Sequence, residues 1–342
     1  MIRFDSDYLE GAHPEIIRKL TETNFEQTPG YGEDPHCENA RRLIRQACAR
    51  PDADVHFMVG GTQTNITVIA SVLKPYQGVI CATTGHINVH ETGALEHSGH
   101  KALALNGNEG KITAEQIDKT IRDHYADASF EHMVQPGMVY ISFPTELGTL
   151  YSLEELTAIS QTCRKHSIPL FIDGARLGYG LTSKSSDVTL QDIARLADVF
   201  YIGGTKVGCL FGEAIVICND ALKKDFRYNI KQNGGMLAKG RLLGIQFETL
   251  FTDGLYLKIA ANAIDMAARV KEMFASRGYQ FLADSPTNQQ FPILPDDMVA
   301  RLHGQFGFED WQKVDATHTA VRFCTSWWTP EENIKALEAA LD

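Results

Sequence analysis

The sequence predicts an α/β protein: a mainly parallel seven-stranded sheet wrapped by helices, followed by a small α+β domain. Three observations lead there. Short β-branched or aromatic runs alternate with segments of helical period at residues 55–59, 79–81, 102–105, 139–142, 169–172, 199–202 and 214–217, as βαβ units require. Beyond Gly278 the pattern changes to strands at 279–282, 291–294 and 320–324, mixed with helices at 296–305 and 330–341. Finally, 342 residues with 44% hydrophobic content supply core enough for about two domains.

The elements follow from local signals. A helix at 153–166 carries Leu153, Leu156, Ile159 and Cys163 at three- and four-residue steps behind Ser152, an N-cap with Glu155 as its capping-box partner. Its length suits a crossover between parallel strands. Long helices at 237–250 and 256–274 follow, closed by Arg277-Gly278 in the manner of a C-terminal glycine stop. They link a large domain, residues 1–250, to a C-terminal domain, residues 251–342. No Pro/Gly/Ser-rich linker separates the two, so they are expected to pack together and share a cleft, a favoured place for a site.

Charge and composition exclude several classes. Lys plus Arg number 32 against 43 Asp plus Glu, a net charge of −11 without blocks of like sign, which disfavours nucleic acid and anionic membranes as partners. The opening residues lack the basic-then-apolar pattern of a secretory signal, and no apolar run approaches the ~20 residues of a membrane span, so a cytoplasmic location is expected. The seven cysteines are scattered without any Cys-x-x-Cys pair, which predicts buried free thiols instead of disulfides or a zinc ribbon.

The chemistry concentrates at two strand ends. Lys206 sits among Gly203, Gly204 and Gly208, and Asp173 opens Asp173-Gly174-Ala175-Arg176 after the apolar run 168–172. A lysine at a strand end can form a Schiff base, and an aspartate at another can hold a pyridinium nitrogen charged, together the outline of a pyridoxal phosphate site. Taken singly, each also fits a surface lysine or an N-capping aspartate. Gly60-Gly61-Thr62-Gln63-Thr64-Asn65, between a strand and a helical pattern at 65–73, offers backbone N–H groups for a phosphate. It matches neither a Walker loop nor the three-glycine dinucleotide fingerprint.

In this order the chain resembles the threonine aldolase and β-eliminating lyase family of fold-type I pyridoxal phosphate enzymes. The residues carrying the resemblance are Ser6-Asp7, Tyr31-Gly32-Glu33-Asp34-Pro35, Gly60-Gly61-Thr62, His86-Ile87, Glu91-Thr92-Gly93-Ala94, Asp173-Gly174-Ala175-Arg176, Thr205-Lys206, Gly234-Gly235-Met236, Thr287-Asn288 and Val321-Arg322-Phe323. The resemblance implies a pyridoxal 5'-phosphate cofactor, with Lys206 as its Schiff-base lysine, Asp173 at the ring nitrogen and His86 stacked on the ring. It also implies cofactor contacts from Gly61, Thr62, Gln63, Arg176 and Thr205, and a substrate carboxylate held by Ser6, Arg176 and Arg322. The implied reaction is cleavage of the Cα–Cβ bond of a β-hydroxy-α-amino acid to glycine and an aldehyde, with His86 as the leading base and His90 and Glu146 behind it. β-Elimination on the same cofactor is the nearest rival; a non-catalytic binding module and a metal hydrolase are the others. A homodimer or homotetramer is expected, with the Tyr31–Pro35 and Ser6 segments at a subunit interface.

Two departures from the family pattern stand out. Where its members commonly carry Asn-Thr-His, this chain reads Ser142-Phe143-Pro144-Thr145-Glu146 and lacks the histidine. Leu237 follows Gly-Gly-Met in place of an arginine, the nearest cations being Lys239 and Arg241. The histidines at 86, 90, 97 and 100 invite a metal reading, but Glu91 follows His90 directly instead of standing between two ligands, so no metal is expected.

Overall fold

The computed structural model describes residues 1–341. All seven predicted strands join one sheet: β1 (Asp54–Met58), β2 (Gln77–Ala82), β3 (Ala102–Leu105), β4 (Gln135–Ser142), β5 (Leu170–Asp173), β6 (Val199–Gly203) and β7 (Glu213–Ile217). Their spatial order is β1-β7-β6-β5-β4-β2-β3. Only β7 runs antiparallel, to both β1 and β6; the other neighbours are parallel. Every residue of β6 and β7 is buried, as expected of a sheet covered on both faces, and this is why these strands read as continuous apolar runs. Alternation then sends Val139, Ile141, Ile172, Phe200 and Ile202 into one core cluster and Met138, Tyr140, Phe171, Val199 and Tyr201 into the other.

Helix Leu153–Lys165 forms with both capping-box bonds, Glu155 N–H to Ser152 Oγ at 3.1 Å and Ser152 N–H to Glu155 Oε2 at 2.7 Å. The helix expected from residue 237 begins only at Arg241: the Ala238 carbonyl accepts from Tyr31 N–H at 3.3 Å, and Gly240 packs so close to Gly32 that a Cβ would meet the Gly32 nitrogen at 2.4 Å. The next helix spans Leu255–Ala275, and Gly278 follows at φ +83° with Tyr279 N–H bonded back to Phe274 O. Its first half, with Tyr256 and Ala260, belongs to the central core; its second half, with Val270 and Phe274, belongs to a third cluster around Phe323.

The C-terminal region departs from the expected elements. Residues 279–282 form no strand, only a bridge between Phe281 and Pro292. The run at 291–294 is cut back to Ile293–Pro295, since Pro292 has no N–H to give a ladder, and a separate short strand, Gln289–Gln290, precedes it. Both pair with His318–Cys324, as does Glu309–Lys313, an exposed charged strand that hydrophobic patterning misses. At the other end of the chain, Ile2–Arg3 pairs with Phe306–Gly307 and Phe4 is buried in the third cluster. That anchorage carries Ser6 and Asp7 toward the C-terminal ends of β5 and β6.

Candidate active site

The site gathers where β4, β5 and β6 end, the usual ligand edge of an open parallel sheet. Asp173, the last residue of β5, is 4% exposed. Its Oδ2 accepts from Tyr140 Oη at 2.5 Å and Asn65 Nδ2 at 3.2 Å; its Oδ1 accepts from Tyr201 Oη at 2.6 Å and Ala175 N–H at 2.9 Å. Burial alone would push this carboxyl up, but His86 and the phenolic donors outweigh it and hold Asp173 below its ordinary value. A buried carboxylate with four donors stays ionised.

Lys206 lies in the turn after β6, its carbonyl held by Tyr179 Oη at 2.5 Å. Its Nζ makes no hydrogen bond or ion pair with any described residue. Burial, helped by the Arg176 charge, holds its pKa below the usual lysine value, which favours a nucleophilic amine. His86 Nδ1 lies 2.8 Å from Glu91 Oε1, and Asn65 Nδ2 reaches the same oxygen at 2.7 Å, so a continuous polar chain runs from Asp173 through Asn65 and Glu91 to His86.

Helix Gly61–Val72 opens on Gly60, which offers no capping side chain. The N–H groups of Gly61, Thr62 and Gln63 therefore have no partner among the described residues, and the first helical bond is Thr64 N–H to Gly60 O at 3.0 Å. Such a terminus is ready for an anion. The Gln63 side chain braces the loop, accepting from Val59 N–H and donating to Asn233 O.

Arg176 gives its guanidinium fork to Asp7, Nε to Oδ2 at 2.7 Å and Nη2 to Oδ1 at 3.0 Å. Asp7 is fully buried and also accepts from Asn288 Nδ2 at 2.8 Å. Arg322 donates to Gln289 Oε1 and Asp5 O, forms an ion pair with Glu309, and lies over the Trp311 ring at 5.2 Å. Its Nε and the Ser6 hydroxyl are buried without a partner. Two unmatched donors of this kind call for an acceptor that the chain itself does not supply.

An inner cavity is thus lined by Gly61, His86, Asp173, Arg176 and Lys206, and an outer one of ≈ 310 Å³ by His90, Arg176, Lys206, Gln289 and Arg322, with Glu146 on both. A larger groove, ≈ 810 Å³, runs along helix Pro35–Ala47 and holds none of these groups. Of the expected residues, Gly61, His86, Asp173, Arg176, Lys206 and Arg322 line these cavities and Ser6, Thr62 and Gln63 do not, and three further differences appear. Arg176 is no free clamp, since its fork belongs to Asp7 and only Nη1 is uncommitted. The Thr205 hydroxyl turns from the cavity to accept from Gly212 N–H at 3.0 Å. Arg241, offered by sequence near the Gly-Gly-Met motif, is used structurally on the carbonyls of Thr23, Asn24 and Glu26. His97 is exposed and His100 hydrogen-bonds Gln77 O, and no group of three or more His, Cys, Asp or Glu residues among those described is arranged to hold a metal.

Sequence reasoning gave no role to Asp7, Asn65, Glu91, Tyr140 or Tyr201. Asp7 and Glu91 lay inside motifs already quoted, whereas the two tyrosines were indistinguishable from other aromatic strand residues.

This chain belongs to the β-eliminating lyase family, whose model matches residues 4–295. Within that class it is 30% identical to the low specificity L-threonine aldolase of Pseudomonas sp. over 340 residues, covering 98% of this chain and 96% of the relative. A solved threonine aldolase from Leishmania major superposes with a TM-score of 0.97 at 44% identity, covering 100% of this chain and 98% of that one. Cystalysin from Treponema denticola, a structure containing pyridoxal 5'-phosphate, shares the fold at a TM-score of 0.71 and 17% identity, covering 100% of this chain and 91% of that one. The fold is that of the fold-type I pyridoxal phosphate enzymes. No helix among the described residues is long and apolar enough to cross a membrane.

Proposed function

We propose that this protein is a pyridoxal phosphate-dependent aldolase that cleaves β-hydroxy-α-amino acids to glycine and an aldehyde. The observation that carries the reading is an unpaired lysine amine of lowered pKa in one cavity with an ionised, four-donor aspartate and an uncapped glycine helix start. Those groups fit the cofactor's aldehyde, ring nitrogen and phosphate respectively. When bound, pyridoxal phosphate supplies a sink for the electron pair released at Cα.

The chain's own residues supply hold and orientation. Lys206 would bind the cofactor covalently through its amine, and Asp173 would keep the ring nitrogen protonated. The N–H groups of Gly61, Thr62 and Gln63 would hold the phosphate, and His86, fixed by Glu91, would lie against the ring. Arg322 Nε, Ser6 Oγ and the uncommitted Nη1 of Arg176 are the donors for the substrate carboxylate, Asp7 setting the Arg176 guanidinium in place. Fixing the carboxylate and the amine orients the Cα–Cβ bond. We place the enzyme in the cytoplasm, as a homodimer or homotetramer.

The family's own description supports a second reading, β-elimination to a keto acid and ammonia. Product analysis separates the two: incubation with L-threonine should release glycine and acetaldehyde in equal amounts. Keto acid and ammonia in their place would overturn the aldolase reading, and cofactor binding without turnover would leave a binding module.

A further inference from the structure

Aldol cleavage needs a group that takes the proton of the β-hydroxyl, and the segment Ser142-Phe143-Pro144-Thr145-Glu146 at the end of β4 brings a carboxyl to the cavities. Glu146 lines both the inner and the outer cavity, with Lys206, Arg176 and His86 on each. Its Oε1 is fixed by two donors, the backbone N–H of His86 at 2.9 Å and Ser142 Oγ at 2.6 Å. Oε2 has no partner among the described residues. The turn that carries it is tied at both ends: Thr145 N–H bonds Thr149 O at 3.0 Å, and Gly148 O accepts from Thr287 Oγ1 at 2.8 Å. One oxygen is anchored and the other is left for chemistry.

The rival groups fit less well. His86 commits Nδ1 to Glu91, and on the aldolase reading its ring face would lie against the cofactor. His90 lines the outer cavity alone, and burial together with the His86 charge lowers its affinity for a proton.

We propose that Glu146 is the acid–base residue of the reaction, taking the β-hydroxyl proton on Oε2 as the Cα–Cβ bond breaks. The inference rests on the aldolase reading above. The O–H electron pair becomes the second bond of the product carbonyl, and the Cα–Cβ pair stays on Cα. Lys206 returns there a proton taken from the substrate's ammonium group. Glu146 then gives its proton to solvent, from which the departing glycine regains one, so hydrogen and charge balance.

Burial raises the Glu146 carboxyl above its ordinary value, and the like charge of Asp173 acts in the same sense. The other charged or titratable groups on the cavities it lines are Lys206, Arg176, Arg322, Glu309, Tyr8, Tyr201 and the His86 and His90 rings. Cys81, Tyr140 and Tyr151 also border it, and burial pushes all three up, so they are neutral at physiological pH. Glu146 is a base only when ionised, so cleavage should rise with pH through its raised pKa.

The test is Glu146→Gln in the cofactor-loaded enzyme, since glutamine keeps the acceptor for Ser142 and His86 but cannot carry the proton. The expected result is a fall in kcat of about 100-fold or more, KM within about three-fold, and loss of the acidic limb of the pH–rate profile. Glu146→Asp should keep the limb at reduced kcat. A Glu146→Gln enzyme with wild-type kcat and an unmoved limb overturns the proposal. Should that variant fail to fold, Ser142→Ala removes a donor that favours the carboxylate. The limb then moves to higher pH if Glu146 owns it, and an unmoved limb refutes the assignment. The same shift is read without turnover from the carboxyl band in difference infrared spectra of the resting protein. Wild type that cleaves no β-hydroxy amino acid sinks the functional reading; wild type that cleaves while Glu146→Gln cleaves equally well sinks only this one.

Discussion

Asp7→Asn is the perturbation whose cost follows most directly from the structure. Asp7 is fully buried, holds the Arg176 fork with two bonds and accepts a third from Asn288, while the Arg176 side chain is 14% exposed. Asparagine keeps the volume and one neutral acceptor but leaves a buried guanidinium without its counter-charge, which costs about 3–5 kcal/mol. Unfolding entropy of about 2.1 cal/mol/K per residue over 342 residues amounts to about 0.7 kcal/mol/K. The expected fall in Tm is therefore ~4–7 °C in calorimetry at a fixed scan rate. Arg176→Met added to Asp7→Asn removes the stranded cation and should recover at least half of the loss. The pH dependence has a definite sign. Burial would raise the Asp7 pKa, but Arg176 and Lys206 outweigh it and hold it below the ordinary value. Its contribution is then fully present above the unfolded aspartate value of about 3.9 and lost as pH falls through the lower folded value, so wild type and variant should converge in acid. A Tm change under ~1 °C, or a double variant worse than the single one, would refute the argument that Arg176 depends on Asp7.

The other predictions concern the ligand groups. Borohydride reduction of the cofactor-loaded protein should label only the peptide containing Lys206, and Lys206→Ala should abolish turnover while circular dichroism stays unchanged; a label on a different lysine overturns the assignment. Arg322→Ala should raise KM about 10- to 100-fold, the equivalent of roughly 1.5–3 kcal/mol for a charge-assisted bond, whereas Glu309→Gln, which frees Arg322 from its ion pair, should lower KM. Equal activity on an amino acid and its decarboxylated amine would show that the carboxylate is not recognised. Sedimentation should find an oligomer whose activity falls on dilution through dissociation, and a fully active 37.9 kDa monomer would disprove a shared site.

Legibility in the sequence followed burial. The inner strands β2, β4, β5, β6 and β7 were readable because they are buried almost throughout and present apolar runs, while the edge strands β1 and β3, only partly covered, were read from short apolar runs; helix Leu153–Lys165 was readable because Ser152 and Glu155 sit at fixed spacing from its apolar stripe. The C-terminal strands were not: Glu309–Lys313 is an exposed charged edge, and Gln289–Gln290 is two buried amides without hydrophobic character. The site shows the same divide. Asp173 and Lys206 were marked by neighbouring glycines, which the backbone needs for close approach: a Cβ on Gly174 would lie 1.9 Å from Tyr201 O, and one on Gly203 would lie 2.2 Å from Ala175 O. Asp7 carried no such mark, because its partner Arg176 is 169 residues away and nothing local encodes the pair. Tyr140 and Tyr201 looked like core aromatics because they are; only the register of β4, β5 and β6 aims both hydroxyls at Asp173.

The balance of buried charge explains how one cavity can keep both an ionised carboxylate and an unpaired amine. Asp7 is paired with Arg176, and Asp173 is held by its donors and by His86, so neither forms an ion pair with Lys206, although both act to raise its pKa. A third carboxyl, Glu213, is also buried, accepting from Gly204 N–H at 3.1 Å. Burial pushes its pKa up, against the lowering effect of the Thr205 hydroxyl and Lys206. Burial, with the Arg176 charge beside it, destabilises the proton on Lys206 against the pull of Asp7, Asp173 and Glu213. The lysine is thus kept reactive by burial and a neighbouring cation, while Asp7 and Asp173 have closer partners of their own.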